Sequence, residues 1–261
     1  MIPGHEFCGE VVKLGAGTGR DFMGARVTLV HLIPCGTCAY CRLGDYHLCD
    51  SYGYLGSRTD GAYAEYVAAP AANLLRVPIG VIAIQWAKVM GPGFTIAVDI
   101  FPEKLALASA LGADACANGA EGDPVALVLE MTGGRGAERV VEFAGTPVTQ
   151  AQSLLCVAKR GSCVWGGKSH KGVALSEKTV DAILRREIHL SGSWNSSFAP
   201  LLSDWEKSLG AMDRGQLREG DLVSHRLPLD RIAEAFRMMH ERRHYFSKVM
   251  FFPQPEGSPR A

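Results

Sequence analysis

Pro34-Cys35-Gly36-Thr37-Cys38-Ala39-Tyr40-Cys41, followed by Cys49, is the stretch on which the reading of this chain turns. The spacing is C-x2-C-x2-C-x7-C. A two-residue gap lets a pair of thiolates turn back onto one ion, and Gly36 and Gly44 loosen the loop that wraps it. Four thiolates closing a tetrahedral site are the pattern of structural zinc, so Cys35, Cys38, Cys41 and Cys49 are expected as metal ligands. Such a site contributes folding energy and does no chemistry itself. The competing reading is an iron–sulfur cluster, because C-x2-C-x2-C also opens the bacterial ferredoxin run. Here the fourth Cys comes seven residues later and is followed by Asp50, not Pro. Cys8, Cys116, Cys156 and Cys163 are scattered through apolar segments and read as small buried hydrophobes.

The surroundings are those of an ordinary globular chain of 261 residues, 47% hydrophobic, 21% charged and 8% aromatic. Lys plus Arg equals Asp plus Glu at 27 each, so no electrostatic footprint for nucleic acid or an anionic membrane exists. The longest apolar run, Ile79 to Ala87, is broken by Gln85 and is too short to span a bilayer. Met1-Ile2-Pro3-Gly4-His5-Glu6 has no basic region and no hydrophobic signal segment. A soluble, cytoplasmic protein is expected, with its eight cysteines as thiols or metal ligands instead of disulfides.

Upstream of the cysteines lies Gly4-His5-Glu6-Phe7-Cys8-Gly9-Glu10-Val11-Val12, and downstream Asp60-Gly61-Ala62-Tyr63-Ala64-Glu65-Tyr66-Val67. Together with the cysteine lobe, these stretches resemble the zinc-containing medium-chain dehydrogenase/reductase family, which includes the alcohol and sorbitol dehydrogenases. The resemblance implies a GroES-like β-rich domain carrying the zinc lobe, joined to a Rossmann-type, doubly wound α/β domain that binds NAD. It further implies that His5, with Glu6, belongs to a catalytic zinc site, and that Gly80, Asp99 and Lys104 contact the cofactor. Tyr54–Gly61 and Gly192–Asn195 resemble the polyol-phosphate dehydrogenases of the family. Arg58 could then pair with a substrate phosphate through its fork of donors, or be an ordinary solvated loop arginine. The expected partner is a small polyol or polyol phosphate, and the family implies homodimers or homotetramers.

The rest of the chain supports that division. Residues 8 to 78 read as short strands between Gly-rich turns, as in Glu10–Leu14, Ala25–His31 and Ala64–Val67. From Ile79 the texture alternates: a helix over Ile79–Met90, a strand over Phe94–Asp99 and a helix over Pro102–Gly112. Strands at Glu138–Phe143, Gly161–Trp165 and Ile188–Ser193, with helices between, argue for a parallel sheet. Leu229–Glu241 and Lys248–Phe252 give a last helix and strand. The expected domains are 1–78 (zinc lobe), 79–214 (dinucleotide binding), 215–252 (return to the first domain) and 253–261 (a disordered tail). Gly80 to Asp99 is nineteen positions, which suits an acid hydrogen-bonded to the adenosine ribose, and a carboxylate there favours NAD over NADP.

Two pieces of the family pattern are absent. The sequence opens at Gly-His-Glu, without the segment that carries the first catalytic-zinc Cys, and Glu65 is a conceivable substitute. Asn73-Leu74-Leu75-Arg76-Val77-Pro78 runs directly into Ile79-Gly80-Val81, where the family has a helix, the first Rossmann strand and most of the Gly-rich turn. That strand is central in a 3-2-1-4-5-6 sheet, so its loss predicts unpaired backbone inside the domain, with Asn73–Val77 as a conceivable substitute strand. Two functions follow as expectations: an NAD-linked, zinc-dependent polyol dehydrogenase, or a catalytically inactive zinc-binding fragment of one.

Overall fold

A computed structural model describes residues 1–18, 22–76, 83–91, 93–194, 204–218, 220–241 and 245–253. The chain divides into two compact units, Met1–Val89 with Ser196–Ala261, and Met90–Asn195. Gly80, the start of the helix expected from Ile79, Asn195 and the tail beyond residue 253 lie outside the described residues.

The first unit begins with β1 (Cys8–Glu10), β2 (Arg26–Leu29), β3 (Leu32–Ile33), α1 (Ala39–Leu43), β4 (Gly53–Tyr54), β5 (Leu74–Arg76) and α2 (Ala83–Val89). β2 is the middle strand of an antiparallel sheet, flanked by β1 and β5. Val27, Leu29, Val30 and Leu32 are all at most 5% exposed, so the apolar chain from β2 into β3 forms the core of this unit. Asn73 is a buried polar residue in this core, at 3% exposure. Its Nδ2 donates to the carbonyls of Val30 and Leu32 at 2.7 and 2.8 Å, closing two backbone acceptors that the strand ladders leave open.

Three expectations are corrected here. Of Glu10–Leu14, only Glu10 is in a strand: Gly24, at φ +71, turns the opposing chain away, and pairing stops soon after Val11. Ala64–Val67 is not a strand. The preceding Gly61, Ala62 and Tyr63 donate irregularly to the carbonyls of Ile2, Gly4 and Pro3, which breaks the alternation that a ladder requires. Leu74–Arg76 pairs with β2 as an antiparallel edge and does not substitute for the absent strand, because β2 already supplies its hydrogen bonds.

The second unit is a regular alternation of β6 (Ile96–Asp99), α3 (Pro102–Ala110), β7 (Ala115–Asn118), α4 (Pro124–Met131), β8 (Ala137–Glu142), α5 (Pro147–Leu155), β9 (Val157–Trp165), α6 (Glu177–Arg186) and β10 (His189–Gly192). Proline opens α3, α4 and α5, where the missing N–H costs nothing. The side chains of Asp123, Thr146 and Ser176 accept the first free N–H groups of α4, α5 and α6. All ladders are parallel, as the doubly wound reading requires. They form two separate sheets, β6–β7 and β10–β9–β8, and no ladder joins β6 to β8 among the described residues. Strand order in a doubly wound sheet places the first strand at that point. Leu154, Val157 and Cys163, all at 0% exposure, form the core beneath the three-stranded sheet.

The chain then adds α7 (Asp204–Asp213), β11 (Val223–Pro228), α8 (Ile232–Glu241) and β12 (Lys248–Phe252) to the first unit. β11 and β12 pair in parallel. Ala211, Met212 and Leu217 pack on Trp86 and Val89 of α2, and Gln85 exchanges hydrogen bonds with the backbone of Arg218.

Replacing Asn73 by Ala leaves two buried carbonyls without donors. Asn73→Ala is expected to lower the unfolding free energy of the first unit by about 2–4 kcal/mol, read by urea denaturation.

Candidate metal lobe and active-site cluster

The four cysteines expected as ligands converge. Cys35 follows β3, Cys38 is the N-cap of α1, Cys41 lies within that helix, and Cys49 follows the short turn Tyr46–Leu48. Gly44, at φ +84, ends α1 and lets the chain fold back toward Cys49. The four Sγ atoms all lie within 4.8 Å of one another. Cys35 and Cys41 are separated by 3.9 Å, close to the ~3.8 Å that tetrahedral zinc–thiolate bonds of about 2.3 Å impose. Backbone N–H groups of Thr37 and Cys38 donate to Cys35 Sγ at 3.5 and 3.4 Å, and Cys41 N–H donates to Cys38 Sγ at 3.4 Å. Those donors hold the Cys35 thiol down at about 6, whereas burial among its neighbours pushes Cys41 up to about 12. A cation is what allows both to be thiolates together, and this donor set fits zinc. All eight cysteines are free thiols.

A second cluster forms around His5. Its backbone is positioned by close approach: a Cβ on Gly61 would sit 2.1 Å from the Gly4 carbonyl oxygen, and one on Gly56 2.6 Å from it. Glycine at both positions is what lets the 53–61 loop lie against the segment that carries His5. The His5 ring meets His31 edge-on at 5.1 Å and Tyr54 at 5.4 Å, and His31 also touches Tyr54 and Trp205. Burial, then the neighbouring His5, lowers His31 to about 4, so its ring is neutral at pH 7.

Glu6 Oε2 accepts a hydrogen bond from Lys248 Nζ of β12 at 2.5 Å. Desolvation works to raise this carboxyl, but the Lys248 hydrogen bond and the charges of Lys248, His5 and His31 prevail and hold it below its ordinary range. Among the described residues, only the cysteines bring three or more ligand atoms together. His5 and Glu6 therefore do not make a complete catalytic zinc set on the described residues, and Glu6 is engaged by a cation of the protein itself.

Of the cofactor residues, Asp99 and Lys104 come together in the second unit. Asp99 Oδ1 accepts the N–H groups of Ile100 and Phe101 at 2.8 and 3.1 Å, which shapes the turn into α3. Its Oδ2 lies 4.0 Å from Lys104 Nζ, which also sits over the Phe101 ring. The acid is thus at the C-terminal end of β6. The strand and Gly-rich turn that would complete a pyrophosphate site beside it are not among the described residues. Arg58 donates to the Tyr52 carbonyl and stacks 4.0 Å over the Tyr52 ring, so part of its fork is already engaged.

His31, Tyr54, Trp205 and Lys248 are the site residues that spacing alone does not reveal. Lys248 meets Glu6 across 242 positions of sequence, and no local pattern signals such a pair.

Comparison with known proteins agrees with this geometry. Residues 1–79 match the alcohol dehydrogenase GroES-like domain, and residues 78–214 match the zinc-binding dehydrogenase domain. Galactitol 1-phosphate 5-dehydrogenase of Escherichia coli (strain K12) is 28% identical over 274 aligned positions, covering 90% of this chain and 79% of that protein. That alignment is longer than the chain itself, so the relative carries internal residues with no counterpart here. L-threonine 3-dehydrogenase of Symbiobacterium thermophilum is 30% identical, covering 90% of this chain and 77% of its own length. The crystal structure of galactitol-1-phosphate dehydrogenase from Escherichia coli superposes with a TM-score of 0.85 at 26% identity, covering 94% of this chain and 83% of that one. With its two domain matches, its cysteine lobe and its parallel second unit, the chain belongs to the zinc-containing medium-chain dehydrogenase family, whose members are oxidoreductases acting on CH–OH groups.

Proposed function

We propose that this chain is a zinc-binding, NAD-linked dehydrogenase that oxidises a secondary hydroxyl of a polyol or polyol phosphate. The observation that carries the reading is the presence of both the His5 cluster and the four-thiol lobe, within a chain whose relatives include a galactitol 1-phosphate dehydrogenase. In this proposal Cys35, Cys38, Cys41 and Cys49 hold one structural zinc. When bound, NAD supplies the hydride acceptor. The protein's own residues orient and exclude: His5 and His31 present an aromatic-walled face beside Tyr54, the His31 ring neutral, and Lys248 keeps Glu6 ionised. Asp99 Oδ2 is the acceptor proposed for a ribose hydroxyl, and its charge repels a 2′-phosphate. Arg58 is the proposed phosphate contact. Free thiols throughout support a reducing, cytoplasmic setting, and a homodimer or homotetramer is proposed from the family. No helix among the described residues is long and apolar enough to cross a membrane.

A second reading is favoured by one specific observation. Because no ladder joins β6 to β8, the crevice in which a doubly wound sheet takes its dinucleotide is incomplete among the described residues. A chain of that kind would hold zinc in the cysteine lobe and turn over no alcohol.

Titration of the purified, metal-analysed protein with NADH separates the two readings. The dehydrogenase predicts saturable binding near micromolar, about −8 kcal/mol, and turnover of galactitol 1-phosphate with NAD. Absence of NADH binding, with about one zinc per chain retained, overturns it in favour of the inactive reading. Cys49→Ser is expected to take zinc content well below one per chain and to lower the Tm, measured by metal analysis and calorimetry. Lys248→Met removes the hydrogen bond and charge that depress Glu6. Its carboxyl should then titrate at a higher pH than in the parent protein, followed by NMR.

A further inference from the structure

One cleft of the second unit shares no residue with the metal lobe, the His5 cluster or the Asp99 turn. It has a volume of about 660 Å³ and is lined by Leu155, Lys159, Lys178, Asp181, Ala182, Arg185 and Arg186. Lys178, Asp181, Ala182 and Arg185 stand at i, i+3, i+4 and i+7 of α6, so they form one stripe along the helix. Leu155 ends α5, and Lys159 comes from the start of β9.

The charges of this cleft do not cancel, although those of the whole chain do. Four cations face one carboxylate. Asp181 is committed to Arg185, with Oδ1 accepting from Nε at 2.6 Å. Arg186 is half-buried and directs Nη1 at the carbonyls of Leu155 and Val157, at 2.9 and 2.8 Å, so its position is fixed by backbone and not by an acid. Lys159 and Lys178 have no ion pair among the described residues. Lys178 also sits in the first turn of α6, where the helix dipole disfavours a cation. No carboxylate among the described residues pairs with Lys178 to offset that placement, whereas a bound anion would. The floor is apolar, with Ala182 only 8% exposed and Leu155 half-buried, so an organic group as well as an anionic head can be accommodated. The stripe from Lys178 to Arg185 is about 10 Å long at 1.5 Å per residue, which separates cations at its two ends.

We propose that this cleft binds a small phosphate-bearing molecule, with Lys159 and Lys178 as its principal charge contacts, Arg186 as a fixed donor, and Leu155 and Ala182 against the organic part. The site is independent of dinucleotide binding and of the dehydrogenase reading.

Calorimetric titration of the zinc-loaded protein with inorganic pyrophosphate tests it. One saturable site per chain is expected, weakening as sodium chloride is raised. The Lys159→Ala/Lys178→Ala double variant should weaken binding about tenfold, and Asp181→Asn, which removes the only lining carboxylate, should tighten it about two- to threefold. Both changes are at exposed side chains, and circular dichroism checks that each variant stays folded. Absence of saturable binding to the parent protein overturns the proposal. So does binding that is equal in the parent and the double variant, which would put the anion elsewhere on the chain.

Discussion

A β-strand presents hydrogen-bonding groups along both edges, and in the interior of a domain both edges require partners. That requirement governs the second unit. β7 pairs with β6, and β8, β9 and β10 pair in order, but β6 and β8 each keep one edge outside any ladder among the described residues. Val98 and Val141, on those two strands, are 49% and 53% exposed, where the interior strands of a doubly wound sheet are normally buried on both faces. α4, α5 and α6 are still capped by side chains at their starts, and the core of Leu154, Val157 and Cys163 is closed. Local structure has therefore survived where the long-range ladder has not. The functional consequence follows from the same geometry, since a dinucleotide occupies the crevice at the strand that would join the two sheets.

The first unit meets its requirements differently. Its strands from β1 to β5 are only two to four residues long, and side chains close what the ladders leave open. Asn73 satisfies the carbonyls of Val30 and Leu32, and Thr28 donates to the Phe7 carbonyl. The cysteine lobe has almost no apolar interior of its own beyond Cys41 and Cys49 themselves. Four thiols in tetrahedral reach are the substitute, because a metal can order a loop that hydrophobic burial cannot.

Electrostatics tie the last strand to the first turn. Lys248 on β12 reaches Glu6, next to His5, and Tyr63 packs on Phe236 of α8 and Phe251 of β12. The late return of the chain thus holds Glu6 ionised beside the early histidine. His31 stays neutral in that neighbourhood because burial and a second imidazole both oppose its protonation.

Much of this was legible from sequence because it is local. The cysteine spacing, the prolines at the starts of α3, α4 and α5 and the strand ending at Asp99 are short-range patterns, and short-range chemistry determines them. The junction after Asn73 also announced a missing central strand. The Ala64–Val67 strand was misread because its alternation is real but the preceding Gly61–Tyr63 bonds irregularly to the first residues of the chain. By itself, then, the sequence determined the family, the four-cysteine cluster and the alternation of the second unit, since each is written in neighbouring residues. Only the tertiary structure decided that Leu74–Arg76 belongs to β2, that the parallel strands part between β6 and β8, and that Lys248 answers Glu6. Those are contacts between residues far apart in the chain, and only the folded backbone brings them within reach of a hydrogen bond.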